Sequence, residues 1–171
     1  PSVRGKTAGC KQVGIRSEPI ELPVSDTECE LLARIRALNE DPAIHAILVQ
    51  LPLPPHIRVA SVVEQISVEK DVDGFHLYNM GGLVTGNTIF SPCTPYGVQK
   101  MLELEQIPVA GRNVVVVGAS NLVGKPTALM LMQQEATVSI CHIKTRDLGQ
   151  YTLLAVILVV GAGVPNLIVP Q

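Results

Sequence analysis

The stretch with the plainest chemical meaning is Gly118-Ala-Ser-Asn-Leu-Val-Gly-Lys-Pro126, set between a run of valines and an apolar helical pattern. Gly118 permits a tight exit from a strand, and Gly124 lets the following helix start close to the sheet. N–H groups at such a helix start carry partial positive charge and can hold a phosphate. The spacing Gly118-x-Ser120-x-x-x-Gly124 departs from the Gly-x-Gly-x-x-Gly dinucleotide fingerprint, because Ser120 replaces the middle Gly and the loop is one residue longer. A Gly-rich turn with no ligand is the competing reading. The end of the next strand bears on the choice. Sites selective for NAD place an acid there for the ribose hydroxyl, whereas Cys141-His142-Ile143-Lys144-Thr145 has none. That favours the 2′-phosphate of NADP, with NAD still open.

These residues need elements to position them. Asn113–Val117 reads as a strand, followed after the turn by a helix through about Met132, a second strand at Thr137–Cys141 and a third at Leu154–Val160. This is a βαβ pattern. Upstream, Ser25-Asp-Thr-Glu28 fits a Ser-x-x-Glu capping box, and Leu31, Leu32, Ile35 and Leu38 continue it as a helix to Asn39. Ala46–Leu51 reads as a buried strand stopped by Pro52, Pro54 and Pro55. A strand that stops on prolines puts Gln50 at the carboxyl edge of a sheet, where α/β proteins bind ligands. A short helix is expected over Val59–Ile66, a loop from Asn79 to Ser91, and a helix N-capped by Thr94 with Pro95 in its first turn, running to Glu105. The expected class is α/β: two α/β domains, the second a Rossmann-like parallel sheet, with a cleft between them. The boundary is expected near residue 90, giving domains 1–90 and 91–171.

Composition removes several alternatives. The chain is 47% hydrophobic, mostly Val, Ile, Leu and Ala, and 16% charged, which excludes intrinsic disorder and suits parallel strands buried on both faces. A net charge of −2 gives no electrostatic drive toward nucleic acid or anionic lipid. With no Trp, two Phe and three Tyr, there is no aromatic platform for stacking bases. Its longest apolar runs are far short of a membrane span. Cys10, Cys29, Cys93 and Cys141 are widely spaced, which argues against a zinc site or a disulfide framework and fits a cytoplasmic setting.

Several segments together resemble one family, the bifunctional methylenetetrahydrofolate dehydrogenase/methenyltetrahydrofolate cyclohydrolases. They are Ile47-Leu-Val-Gln-Leu-Pro-Leu-Pro54, Lys70-Asp-Val-Asp-Gly-Phe75, Pro92-Cys-Thr-Pro95, Gly118–Pro126 and Cys141-His142, in the family's order and spacing. The resemblance implies NADP-dependent oxidation of 5,10-methylenetetrahydrofolate, hydrolysis of the methenyl product to 10-formyltetrahydrofolate, and a homodimer. It matches Lys6 to a Lys that manages a proton, a role that screening from water makes chemically sound. Gln50 matches a Gln that bonds and orients that Lys, and Asp73 an acid that accepts hydrogen bonds from the pterin. Gly118, Ala119, Ser120, Gly124, His142 and Ile143 match cofactor-facing positions. Each has a plainer alternative: a solvated Lys, a strand-end amide, an Asp in a turn before Gly74, a strand-capping His. Cys93 reads as a buried small apolar residue, and His45, His56 and His76 as ordinary.

The match has departures. Ser2 stands where the family has a Tyr that packs on the substrate ring, so either substrate affinity suffers or residues are absent between Ser2 and Val3. Ala119 and Ile143 stand where many members carry Arg and Ser facing the 2′-phosphate, leaving Lys144 or Arg146 as substitutes. Val156 and Gly161 replace an Asp and an Ala around the third strand. The chain starts at Pro1 and stops at Gln171, before the family's closing motifs, so it reads as parts of two domains, each lacking an end. A non-catalytic folate- or nucleotide-binding remnant is therefore the rival reading. A different Rossmann oxidoreductase is a weaker one, opposed by the Asp-Val-Asp-Gly and Pro-Cys-Thr-Pro segments.

Overall fold

The structure, a computed structural model, describes residues 2–169, excepting the side chain of Ser2; the question of what Ser2 can pack against lies outside the described residues. The chain divides into two compact units, the first ending at Ser67 and the second beginning at Val68.

The first unit holds α1 (Ser2–Gln12), α2 (Glu28–Glu40) and α3 (Val59–Gln65). Helix α2 starts on Thr27 rather than Ser25: Thr27 Oγ1 accepts from the Glu30 N–H at 3.3 Å, and Glu30 Oε2 accepts from the Thr27 N–H at 2.7 Å. Ser25/Glu28 and Thr27/Glu30 both satisfy the capping pattern. The second wins because Glu28 is engaged by Arg58, whose backbone N–H and guanidinium reach its carboxylate at 2.7 and 2.8 Å. Leu31 and Ile35 of α2 pack with Ile47, Ile57, Val62 and Ile66 as the core of this unit. Asn39 ties the ends of α2 and α3, donating to Gln65 O at 2.7 Å and accepting from the Ser67 N–H at 3.0 Å.

Residues 46–51 do not form the expected strand. Only Ile47 makes an isolated bridge. Ile47 is buried while its neighbours Ala46 and Leu48 are exposed, so the alternation of an extended segment is present. A ladder also needs a neighbouring strand, and the described residues of this unit supply none. Helix α1 was equally illegible, since Gly5 and Gly9 sit inside it and glycine disfavours a helix interior by roughly 0.5–1 kcal/mol relative to Ala.

The second unit opens with a 3-10 turn at Val68–Lys70 and continues as α4 (Leu77–Thr85), α5 (Cys93–Leu104), β1 (Asn113–Val117), α6 (Gly124–Gln133), β2 (Thr137–Cys141), α7 (Leu148–Thr152) and β3 (Ile157–Val160). The sheet is parallel, in the order β2-β1-β3. The central strand is buried on both faces, which is why it is a valine run rather than an alternation. Val114 and Val116 pack with Ala128, Leu131 and Ile157, and Val115 and Val117 with Cys141, Leu148 and Ala155. The α/β class and the first two strand spans match the sequence reading. Three local expectations do not. Residues 77–85 are helix α4, not loop, because His76 Nδ1 caps it by accepting from the Tyr78 N–H at 3.1 Å and Gly86 (φ +80°) ends it. Helix α5 starts at Cys93 with Pro92 before it, so Thr94 lies inside the first turn. β3 starts at Ile157, because α7 and the turn after it take up residues 148–154.

Candidate functional site

Lys6 and Gln50 are 44 residues apart in sequence, and the first unit brings them together. Lys6 Nζ donates to Gln50 Oε1 at 3.2 Å. The amide is oriented from its other end, since Gln50 Nε2 donates to Leu51 O at 2.8 Å. With its donor so engaged, the acceptor oxygen faces the ammonium. Both side chains are exposed, so the first unit by itself does not screen Lys6 from water. Helix α1 supplies the Lys and the segment ahead of the cis Leu51–Pro52 bond supplies the Gln.

Asp73 is half-buried in a loop of the second unit whose neighbours are tightly placed. Asp71, 2% exposed, accepts on one oxygen from the His76 N–H at 2.8 Å and from Asn79 Nδ2 at 2.9 Å. Asn79, fully buried, accepts in turn from the Ile89 and Phe90 N–H groups at 3.0 and 3.3 Å. Gly74 has φ +70°, and a Cβ there would lie 2.8 Å from Phe90 O and Pro92 N. The Cys93 thiol donates to Val72 O at 3.4 Å and is exposed, which corrects the expectation of a buried apolar cysteine: as the first residue of α5 it lies at the surface of the loop. Sequence reasoning passed over Asp71 and Asn79. The signal available was an Asp alternating with Asp73 and a lone Asn beside Gly81, Gly82 and Leu83.

At the turn after β1, both glycines are obligatory. A Cβ on Gly118 (φ +121°) would lie 2.7 Å from Gly161 O, and one on Gly124 only 1.6 Å from Gly118 O. Ser120 Oγ accepts from the Val123 and Gly124 N–H groups at 3.1 and 3.3 Å, so two donors at the start of α6 are already capped by a side chain. Ala119 is half-buried and Ser120 exposed. Lys125 Nζ donates to Asn121 Oδ1 at 2.8 Å.

Beyond β2, the His142 N–H donates to Thr145 Oγ1 at 2.8 Å, and His142 Nδ1 accepts from the Lys144 N–H at 3.1 Å. This compact turn borders a pocket of about 400 Å³ whose lining includes His142, Thr145, Arg146, Asp147, Gln150 and Tyr151. His142 and Ile143 are exposed, Ile143 to 94%. Cys141 is fully buried, and desolvation pushes its thiol pKa up. Among the described residues, no group of three or more His, Cys, Asp or Glu side chains could hold a metal ion.

Comparison with known proteins accounts for this combination. The chain matches the model of the tetrahydrofolate dehydrogenase/cyclohydrolase catalytic domain over residues 2–73 and that of the NAD(P)-binding domain of the same family over residues 92–171. It is 57% identical over 166 residues to the bifunctional protein FolD of Bordetella petrii, covering 97% of this chain and 56% of that protein. With FolD 2 of Geobacter sulfurreducens the identity is 56%, over 97% of this chain and 58% of that protein. The crystal structure of the bifunctional FolD methylenetetrahydrofolate dehydrogenase/cyclohydrolase from Campylobacter jejuni superposes with a TM-score of 0.95 at 48% identity, covering 98% of this chain and 60% of that one. The Trypanosoma brucei enzyme, solved with NADP cofactor and inhibitor, gives 0.90 at 35% identity, over 95% of this chain and 56% of that one. The chain thus spans a little over half the length of the relatives it matches. Two models of one family, matched in order over most of the sequence, place this chain in the tetrahydrofolate dehydrogenase/cyclohydrolase family.

Proposed function

We propose that the complete protein interconverts one-carbon folates, oxidising 5,10-methylenetetrahydrofolate to the methenyl cation and hydrolysing that cation to 10-formyltetrahydrofolate. The observation that carries the proposal is the Lys6–Gln50 hydrogen bond, which joins two residues that the resemblance pairs from distant parts of the chain. Lys6 handles the proton of the attacking water, and Gln50, locked by Leu51 O, fixes the direction of its Nζ. Both are exposed in the first unit, and a folate bound against them would displace water from Lys6. Asp73 accepts hydrogen bonds from the pterin's N–H donors.

The nucleotide falls to residues 118–124 and 142–143. Gly118 and Gly124 are required by packing against the backbone of Gly161 and of Gly118 itself, which fixes the turn from which a phosphate is met, and the acid-free run 141–145 suits a 2′-phosphate. These residues fit NADP, which supplies the hydride acceptor when bound; Gly118, Ala119, Ser120 and Gly124 cradle its phosphates, and His142 and Ile143 border its ribose. Orientation of the two rings is the main requirement of the oxidation. With Ala119 and Ile143 offering no charge, Lys144 or Arg146 takes the 2′-phosphate. We further propose that residues 1–90 serve the folate and 91–171 the nucleotide, and that the protein is a cytoplasmic homodimer with no nucleic-acid or membrane partner; no described helix is long and apolar enough to cross a membrane.

The identities above 50% across nearly the whole chain favour the enzyme over a non-catalytic remnant. An absorbance assay of the complete gene product, following NADPH and methenyl formation from methylenetetrahydrofolate, tests the proposal. Coupled appearance of both supports it. Folate or nucleotide binding without turnover supports the remnant.

A further inference from the structure

The loop 70–74 is held by more buried polar structure than a turn requires. Asp71 and Asn79 are 2% and 0% exposed, and a buried carboxylate persists only when its hydrogen bonds replace water. Here they do so in a chain: Asp71 Oδ2 takes the Asn79 Nδ2 and His76 N–H donors, and Asn79 Oδ1 takes the Ile89 and Phe90 N–H donors. The far end of the chain, Phe90, is the residue whose carbonyl touches Gly74, immediately after Asp73. The network therefore closes on both sides of Asp73: Asp71 fixes the backbone two residues before it, and the 89–92 segment, pinned by Asn79, packs against the residue after it. None of these groups needs to reach a ligand.

We infer that Asn79, with Asp71, is a positioning pair that sets the direction of the Asp73 carboxylate and so tunes folate affinity. The inference rests on reading Asp73 as the folate anchor. Replacing Asn79 by Asp keeps the oxygen that faces Ile89 and Phe90 but removes the donor to Asp71 and sets two carboxylates side by side. Asp71→Asn keeps an acceptor for both donors, so it is the milder change. Displacing a ligand-binding group by a fraction of an ångström is costly to binding geometry.

A double-mutant cycle on the complete gene product separates positioning from general destabilisation. Asn79→Asp is expected to raise KM for methylenetetrahydrofolate about tenfold, the scale of one lost charge-assisted hydrogen bond, with a smaller change in kcat and an unchanged Kd for NADP. In an Asp73→Ala background the same substitution is expected to leave the folate KM where Asp73→Ala alone put it. Asp71→Asn is expected to raise KM less than Asn79→Asp does. If Asn79→Asp does not fold, Asn79→Ser, too short to reach Asp71, enters the cycle in its place. Equal KM increases with and without Asp73, or a parallel loss of NADP affinity, overturn the inference. An unchanged KM in Asp73→Ala alone overturns instead the assignment of Asp73 on which it stands.

Discussion

In the turn at residues 118–124 the backbone fixes the geometry. Gly124 has its missing Cβ 1.6 Å from Gly118 O, Gly118 backs onto Gly161, and Ser120 caps the helix that follows. The Lys6–Gln50 pair is held in a different way, by a single side-chain bond between two exposed residues. One site is built from a short stretch of chain in which the contacts at two glycines exclude any side chain. The other is assembled across 44 residues and stays open on its solvent side. A binding cradle for a fixed anionic group benefits from being immobile, whereas a proton-handling amine must be reached by substrate and water. The two regions should therefore respond to substitution in opposite ways, the first by losing structure and the second by losing chemistry alone.

The largest effect is expected at Gly124. Gly124→Ala forces a methyl group into the Gly118 carbonyl and should cost more than about 4 kcal/mol, seen as a collapse of thermal stability and loss of NADP binding together. Gln50→Leu should leave the fold intact while lowering cyclohydrolase kcat about tenfold, the loss of one hydrogen bond to a charged group, with dehydrogenase activity much less affected. A comparison of circular-dichroism melting with the two activities distinguishes these behaviours. Chemical labelling probes the same contrast between packed and open regions. Iodoacetamide should alkylate the exposed Cys29 and Cys93 first, and Cys141 only on unfolding, since it is fully buried with its thiol pKa raised by desolvation; peptide mass spectrometry reads the order.

The smallest effect concerns Glu28 and Arg58, which brace the open first unit. Hydrogen bonds from Arg58 hold the Glu28 carboxyl below its ordinary pKa of 4.5. A lowered folded-state pKa means the contribution is complete above that ordinary value and is lost as pH falls through the lowered one. The Tm difference between wild type and Glu28→Gln should be small but present at neutral pH, and should vanish in strong acid. A constant difference across that range would contradict the pairing.

How much of this was legible in the sequence follows the same division. The spans of β1 and β2 and the glycine turn were readable because they are local: a valine run, a glycine pair, a helical pattern beginning at Gly124. Residues 46–51 differ from the sequence reading because an apolar run stopped by prolines signals a buried extended chain, while a strand also depends on a neighbour. Helix α4 was missed because its glycines look like loop, although Gly82 is required there by Asn87 O, which a Cβ would approach to 2.5 Å. Lys6 and Asp73 are legible only through resemblance, since their spacing by itself suggests no chemistry, whereas for Gln50 the proline stop after it adds a local signal. Asp71 and Asn79 were not found at all, because a buried hydrogen-bond network has no periodic signature.

The central claim is that Lys6, directed by Gln50, manages the proton in hydrolysis and not the hydride step. Its most direct test is Lys6→Ala in the complete protein, with both reactions measured on the same preparation. The account predicts that hydrolysis of methenyltetrahydrofolate is abolished while NADP-dependent oxidation of methylenetetrahydrofolate persists and now accumulates the methenyl product. Wild-type hydrolysis by the variant would contradict it.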